Sequence, residues 1–408
     1  MTITPGEYKT RQEQLWAECD DLRLDAILIV TNGSCFGLSG RSQGYMCFLC
    51  GWNSFDSPSA LILRTGQAPK LIVSHHRMMM MAKQNDPTVE VSWIDQDSFG
   101  VGLRRVFEQW QIKKGRIGLC GWEDVIARSW QSVQEQLTAF EFVDIKNRLD
   151  PLRAVKSPGQ LASQRKAAAI CDGMFATLAK TNVVGRFTYQ IKAELECFAK
   201  QAGAEFVQHW LTVGTPPDYP RYFHHENRQI PRRGDLLLYG MQILVDGFWG
   251  HAVRTYSLGP ASNRHAAVHA AVINFQDKFI SQMKPGINMS HMVREGFQHI
   301  KQVYEAIGKM GVDMLRLGHG IGYSYSDPGT SEAFPRSYYK LKDELARSVT
   351  TSLQPGMVFE VHPIFFYEDG ASGIGDMVEI GNSGPSFMTK YPREICEHSL
   401  LDIAGASG

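Results

Sequence analysis

The chain has no excess charge of either sign: 42 Lys and Arg balance 42 Asp and Glu over 408 residues. A protein that grips nucleic acid or an anionic membrane surface carries a basic footprint, so neither partner is expected. Long apolar runs are missing as well. The most apolar stretches, such as "LDAILIVT" (24–31), have the length of a strand and fall far short of the roughly 20 residues needed to span a bilayer. The first residues, "MTITPGEYKTRQEQLW", are polar and charged, so no secretory signal is expected. The eight cysteines form no framework. Cys47 and Cys50 are the one close pair, and zinc would require a second pair nearby. Two buried thiols in a reducing, cytoplasmic setting is the plain expectation. Repeats and low-complexity tracts are also lacking.

What is present is enough chain for two cores. Over residues 1–155, short apolar runs ("DAILIV", "SALILR", "KLIVS", "RIGLC", "FEFVDI") alternate with helical patterns such as 101–112 and 122–138. That alternation predicts an α/β domain with an open sheet. Pro151 and the turn Ser157-Pro158-Gly159 mark a change, and a second domain is expected over 156–408. There, helical patterns (159–180, 186–203, 262–283, 289–310) are grouped with antiparallel runs. "GDLLLYGMQIL" and "FWGHAVRTYSLG" flank Asp246-Gly247, a strong hairpin signal. "GMVFEVHPIFFYEDG" (356–370) and "GIGDMVEIG" (373–381) read as another pair. The fold class expected for the whole chain is α+β.

The second half also concentrates histidine: His209, His224, His225, His251, His319 and His362. A single histidine on a strand is usually a satisfied core residue. Glycine beside His251 and on both sides of His319, in "GHGIG", lets backbone approach a bound group closely.

Five fragments in order resemble the creatinase/aminopeptidase P/methionine aminopeptidase family. They are "LRAVKSPGQLASQRKAA", "RRGDLLLYGMQILVDGFWGHAVRTYSLG", "GHGIG", "LQPGMVFEVHPIFF" and "GIGDMVEIG". The resemblance implies an N-terminal creatinase-type α/β domain followed by a C-terminal pita-bread catalytic domain. It also implies a homodimer whose partner subunit closes the site. Metal-dependent members of that family hold two metals through two aspartates, a histidine and two glutamates. Carried over, the first aspartate falls at Tyr239 or Gly240, the second at His251, the histidine at His319, and the glutamates at His362 and Gly375. The ordinary two-metal site is therefore excluded, and peptidase activity is not expected.

His251, His319 and His362 fall on ligands of the same one of the two metals, which predicts a mononuclear site for Zn, Fe, Co, Ni or Mn with an open fourth position. Asp327 and Asp376 are the expected carboxylate partners of those imidazoles. By resemblance, His224 or His225 is the proton-transfer group. An aromatic lining (Trp210, Tyr222, Phe223, Tyr323 and Tyr325, with Trp52 and Phe55 from the N-terminal domain) suits a small substrate with an apolar or cationic part. The expected activity is hydrolysis of a C–N bond in a small molecule. Two alternatives stay open: a metal-free acid–base enzyme, hydrolase or lyase, that needs no cofactor, and a non-catalytic binding module.

Overall fold

A computed structural model describes residues 3–33, 41–54, 57–85, 88–217, 222, 228–308, 313–314, 317–327, 330 and 351–398. The chain divides into two compact units: Met1–Val155 with Gly322–Gly329, and Lys156–Ile321 with Thr330–Gly408. A short piece that follows the glycine-rich segment thus belongs to the first unit.

The first unit is built on a six-stranded sheet: β1 (Ala26–Thr31), β2 (Ser59–Leu63), β3 (Lys70–Val73), β4 (Glu90–Trp93), β5 (Gly115–Cys120) and β6 (Phe140–Asp144), in the order β4-β3-β2-β1-β5-β6. β1 lies parallel to β5 and antiparallel to β2. Its six residues are all buried because both faces of the sheet are covered. Ile27 and Ile29 enter a core with Leu15, Tyr45 and Leu49, whereas Ala26, Leu28 and Val30 enter one with Phe99, Leu103 and Val133. That is why the run reads as continuously apolar rather than alternating. Edge strand β4 is exposed at Glu90, Ser92 and Trp93, and carries no such signal in the sequence.

The second unit opens with the helix Pro158–Lys180. Ser157 and Gln160 form its capping box, and proline occupies its first turn. This helix and the helix Thr188–Gln201 cover one face of β7 (Phe206–Gly214), β8 (Leu236–Val245) and β9 (Phe248–Ser257), which pair in the order β9-β8-β7. The β8–β9 turn is Asp246-Gly247, both at positive φ (50° and 77°), as a two-residue hairpin of matching twist requires. Helices Asn263–Ser281 and Met289–Ile307 follow, then the short strands β10 (Asp313–Met314) and β11 (Gly318–Gly320).

The run 356–370, expected as one strand of a pair, is instead two strands. β12 (Val358–Val361) ends before His362-Pro363, and β13 (Ile364–Tyr367) continues in a different sheet. Proline has no N–H to donate to a ladder, so the chain changes sheets there. The return segment makes the same change: β14 (Gly370–Gly373) pairs with β13, and β15 (Asp376–Gly381) pairs with β12. β16 (Gly384–Phe387) adds to β15, giving the sheet β11-β12-β15-β16, and β17 (Cys396–Glu397) adds to β9. Val253 on β9 and Gly375 exchange backbone hydrogen bonds of 3.1 and 2.9 Å, tying the two sheets together next to the histidines. No helix among the described residues is long and apolar enough to cross a membrane.

Candidate metal centre

His251 lies on β9 opposite Gln242 of β8, so it shares a sheet face with Gln242, Gly240, Val253 and Trp210. Tyr239 points to the other face, where its hydroxyl is 2.8 Å from His209 Nδ1 and its ring joins the helix-covered core. Of the two candidates for the first aspartate position, Gly240 is therefore the one on the histidine face. His319 on β11 is directly opposite Glu360 on β12. His362 follows two residues later and so returns to the face of Glu360.

These four side chains are buried and converge. Glu360 Oε2 is 3.2 Å from His362 Nε2, 3.4 Å from His251 Nδ1 and 3.9 Å from His319 Nε2. The ring centroids of His251, His319 and His362 form a near-equilateral triangle with sides of 5.3 to 5.6 Å. One donor atom from each of the four lies within 4.8 Å of those of the others. Burial first, and the neighbouring His362 second, hold the pKa of His251 well below the ordinary imidazole value. It is therefore neutral, with a lone pair to offer.

Glu360 is the member that sequence comparison alone missed: it stands among the three imidazoles as a fourth potential ligand. Matching the family's glutamate-proline pair to His362-Pro363 drew attention to 362 and away from 360. The signal was the period of two along "FEVHP": residues 360 and 362 of one strand must share a face.

Asp376 does not support the imidazoles. It is buried against Arg254, with Nη2 to Oδ1 at 2.7 Å, and accepts from Thr389 at 2.7 Å and from Gln276 at 3.0 Å. Asp327 pairs with Arg153 at 3.0 Å in the first unit and accepts from the Ser324 amide at 3.3 Å. His319 Nδ1 instead faces its neighbour's carbonyl, Gly320 O, at 3.0 Å. An arginine buried at 1% exposure needs a carboxylate partner, and Arg254 is the one that takes Asp376.

The aromatic lining divides in the same way. Trp210 stands edge-on to His251, with centroids 4.9 Å apart. The Tyr222 ring lies 6.3 Å from Trp210 and 5.9 Å from Phe366. Burial and the charge of Glu360 raise the pKa of Tyr222 well above the usual phenol value. Trp52 is buried in the first unit and donates to Ser59 Oγ at 3.2 Å. Tyr323 packs into the core of that unit with Tyr45 and Phe48, and Tyr325 is buried in the same unit. Phe55, Phe223, His224 and His225 lie outside the described residues.

The arrangement has the donor chemistry of a site for one cation: three imidazole nitrogens and one carboxylate. Among the described residues it offers no second set of ligands, because Gly240 and Gly375 carry no side-chain donor. Comparison with known proteins agrees on ancestry. An Xaa-Pro dipeptidase from Pyrococcus horikoshii is 23% identical over 381 residues, 92% of this chain and 95% of that protein. A creatinase from a Bacillus species is 20% identical over 352 residues, covering 84% of this chain and 82% of its own length. The crystal structure of an X-Pro aminopeptidase from Thermotoga maritima superposes with a TM-score of 0.76 at 21% identity, over 95% of this chain and 99% of that one, which establishes the fold. Relatives with peptidase names run against the expectation that peptides are excluded as substrates. The sequence profile of metallopeptidase family M24 matches residues 162–382, more than half of the chain, and the chain belongs to that family of hydrolases with the pita-bread fold.

Proposed function

We propose that this protein is a hydrolase of C–N bonds, amide or related, in small molecules, working with a single divalent transition metal held by His251, His319, His362 and Glu360. The observation that carries this reading is the convergence of three buried imidazole nitrogens on Glu360 Oε2 at 3.2 to 3.9 Å. Donor atoms bound at about 2.1 Å around one ion are separated by about 3.0 to 3.4 Å, and here the four donors lie within 4.8 Å of one another, so binding an ion would draw them together. A bound cation of this kind supplies Lewis acidity toward an oxygen donor.

The chain's own residues do the rest. The four ligands fix one position. Trp210, Tyr222 and Phe366 give it a dry aromatic wall that favours a compact ligand. His224 or His225 is the proton-transfer group in this reading. Dipeptides belong among the candidate substrates, since the relatives named above are a dipeptidase and an aminopeptidase as well as a creatinase.

Elemental analysis of protein purified without chelator, followed by turnover of an amide, guanidino and dipeptide panel with and without chelator, tests the proposal. About one metal per chain with chelator-sensitive turnover is the expected result. Full turnover without metal would move the chemistry to the metal-free acid–base enzyme. Neither metal nor turnover would leave a binding module.

A further inference from the structure

Gly375 lies against the proposed ligands and Gly240 shares a sheet face with His251, and neither glycine is required by its backbone angles, which lie outside the left-handed region. Side-chain space requires them. A methyl group on Gly240 would sit 2.6 Å from Tyr222 Oη and 3.2 Å from Val253 Cγ2. One on Gly375 would run into Glu360 Oε1, and would lie 3.0 Å from both His362 Cβ and Val253 Cγ2. Val253 therefore touches both openings, with the Tyr222 hydroxyl filling one and the Glu360 carboxylate the other. Trp210 completes the link, since it is in ring contact with both Tyr222 and His251.

A divalent cation with Glu360 as its one charged ligand keeps a net charge of +1. That charge calls for an anionic oxygen in the remaining coordination space, and an oxygen there needs a second partner if it is not to lean on the metal alone. A phenol is un-ionised at neutral pH and has one O–H to donate. We propose that Tyr222, set over Gly240, is the donor that grips an anionic oxygen ligand beside the metal, so that the site selects substrates presenting a carboxylate or an oxygen that gains charge during C–N cleavage. This rests on the single-metal reading above. It adds a specificity-determining residue that is not a ligand.

The test uses the full-length protein loaded with Co(II) and acetohydroxamate as the anionic oxygen probe, followed by visible absorption, with cobalt content measured in parallel. Tyr222→Phe keeps the ring and removes the hydroxyl. It should weaken acetohydroxamate about 10- to 100-fold, the worth of a hydrogen bond to a charged group, while cobalt content stays at the wild-type level. Gly240→Ala should weaken the probe in the same direction by displacing the hydroxyl. Unchanged probe affinity in Tyr222→Phe overturns the proposal, and so does loss of cobalt from that variant, which would make Tyr222 a support of the ligand set. Wild-type protein that takes up no cobalt overturns the metal reading itself.

Discussion

Replacing Glu360 with glutamine should move two properties in opposite directions. In the metal-free protein the carboxylate is fully buried, with neighbouring imidazoles of which at least His251 is held neutral by burial. A buried charge costs more than a buried amide of the same shape, so Glu360→Gln should stabilise the metal-free protein, by about 1–3 kcal/mol. With metal, the sign reverses. Glutamine keeps one oxygen donor but removes the one anion among the described ligands, and the affinity loss should exceed the 10–100-fold that follows loss of a group merely supporting a ligand.

Taking a 100-fold loss, wild-type protein at a metal concentration of 100 times its Kd gains about 2.7 kcal/mol from binding. The variant at the same concentration gains only about 0.4 kcal/mol. For a unit of this size, 1 kcal/mol is worth roughly 2–4 °C, so a metal-induced rise of about 5–10 °C should shrink to about 1–2 °C. Differential scanning fluorimetry with and without Zn, Co or Mn, alongside metal content, reads both effects. A Glu360→Gln protein that melts lower without metal yet gains the full wild-type increment with it would refute the reasoning. Glu360 would then be a structural partner of the histidines rather than a ligand.

Replacing Gly375 with alanine should also lower metal affinity, because its methyl displaces Glu360 Oε1; equilibrium dialysis against Zn checks this. Alanine at His224 or His225, whichever transfers the proton, should cut turnover by about 10²–10⁴-fold with metal content intact, measured on whichever amide the substrate panel yields. Light scattering at micromolar concentration should give a dimer mass; a monomer would remove the idea that a partner subunit completes the site. Acid should destabilise the protein through two buried histidines outside the proposed ligand set. His209, held down to about 3 by burial and then Lys192, and His269, held down to about 4 mainly by burial, stay neutral when folded and become protonated when unfolded below about 6.5. Their contribution is complete above pH 6.5 and lost as pH falls, by about 1.3 kcal/mol each between pH 7.5 and 5.5; urea melts of His209→Gln and His269→Gln should show a flatter pH profile.

What could be read from the sequence follows from what is local. The β8–β9 hairpin was legible because Asp246-Gly247 states its own turn type, and the helix at Pro158 because Ser157, Pro158 and Gln160 spell its cap. β1 was legible by apolar length alone. β4 was not, since an edge strand with exposed Glu90, Ser92 and Trp93 needs no apolar period. The division of the run 356–370 between two sheets was written in Pro363, but a single proline in an apolar run does not say which neighbours the two halves will choose. Long-range partnership was the least legible. Asp327 and Asp376 were plausible carboxylates near histidines in the chain, yet each is claimed by a buried arginine, Arg153 and Arg254, from a distant segment.

In the single-metal reading, Glu360 takes over the place of a lost carboxylate ligand. The β12–β15 register runs Val361 against Asp376, so Gly375 falls opposite His362 and diagonal to Glu360. A side chain at 375 would project into the same space as the glutamate, as the collision of its methyl with Oε1 demonstrates. With glycine there, the carboxylate comes from the neighbouring strand instead, two residues before the histidine and directly across from His319. The anion stays in the centre while its point of attachment moves. What Gly375 cannot do is supply a second anchored carboxylate, and Gly240 supplies none either. In the single-metal reading, one carboxylate among three imidazole ligands is balanced by one divalent cation and an anionic ligand. Among the described residues a second cation finds neither the charge nor the donors to hold it, so metal titration of the full-length protein should saturate at one equivalent per chain, and two equivalents bound at the same centre would contradict the single-metal reading.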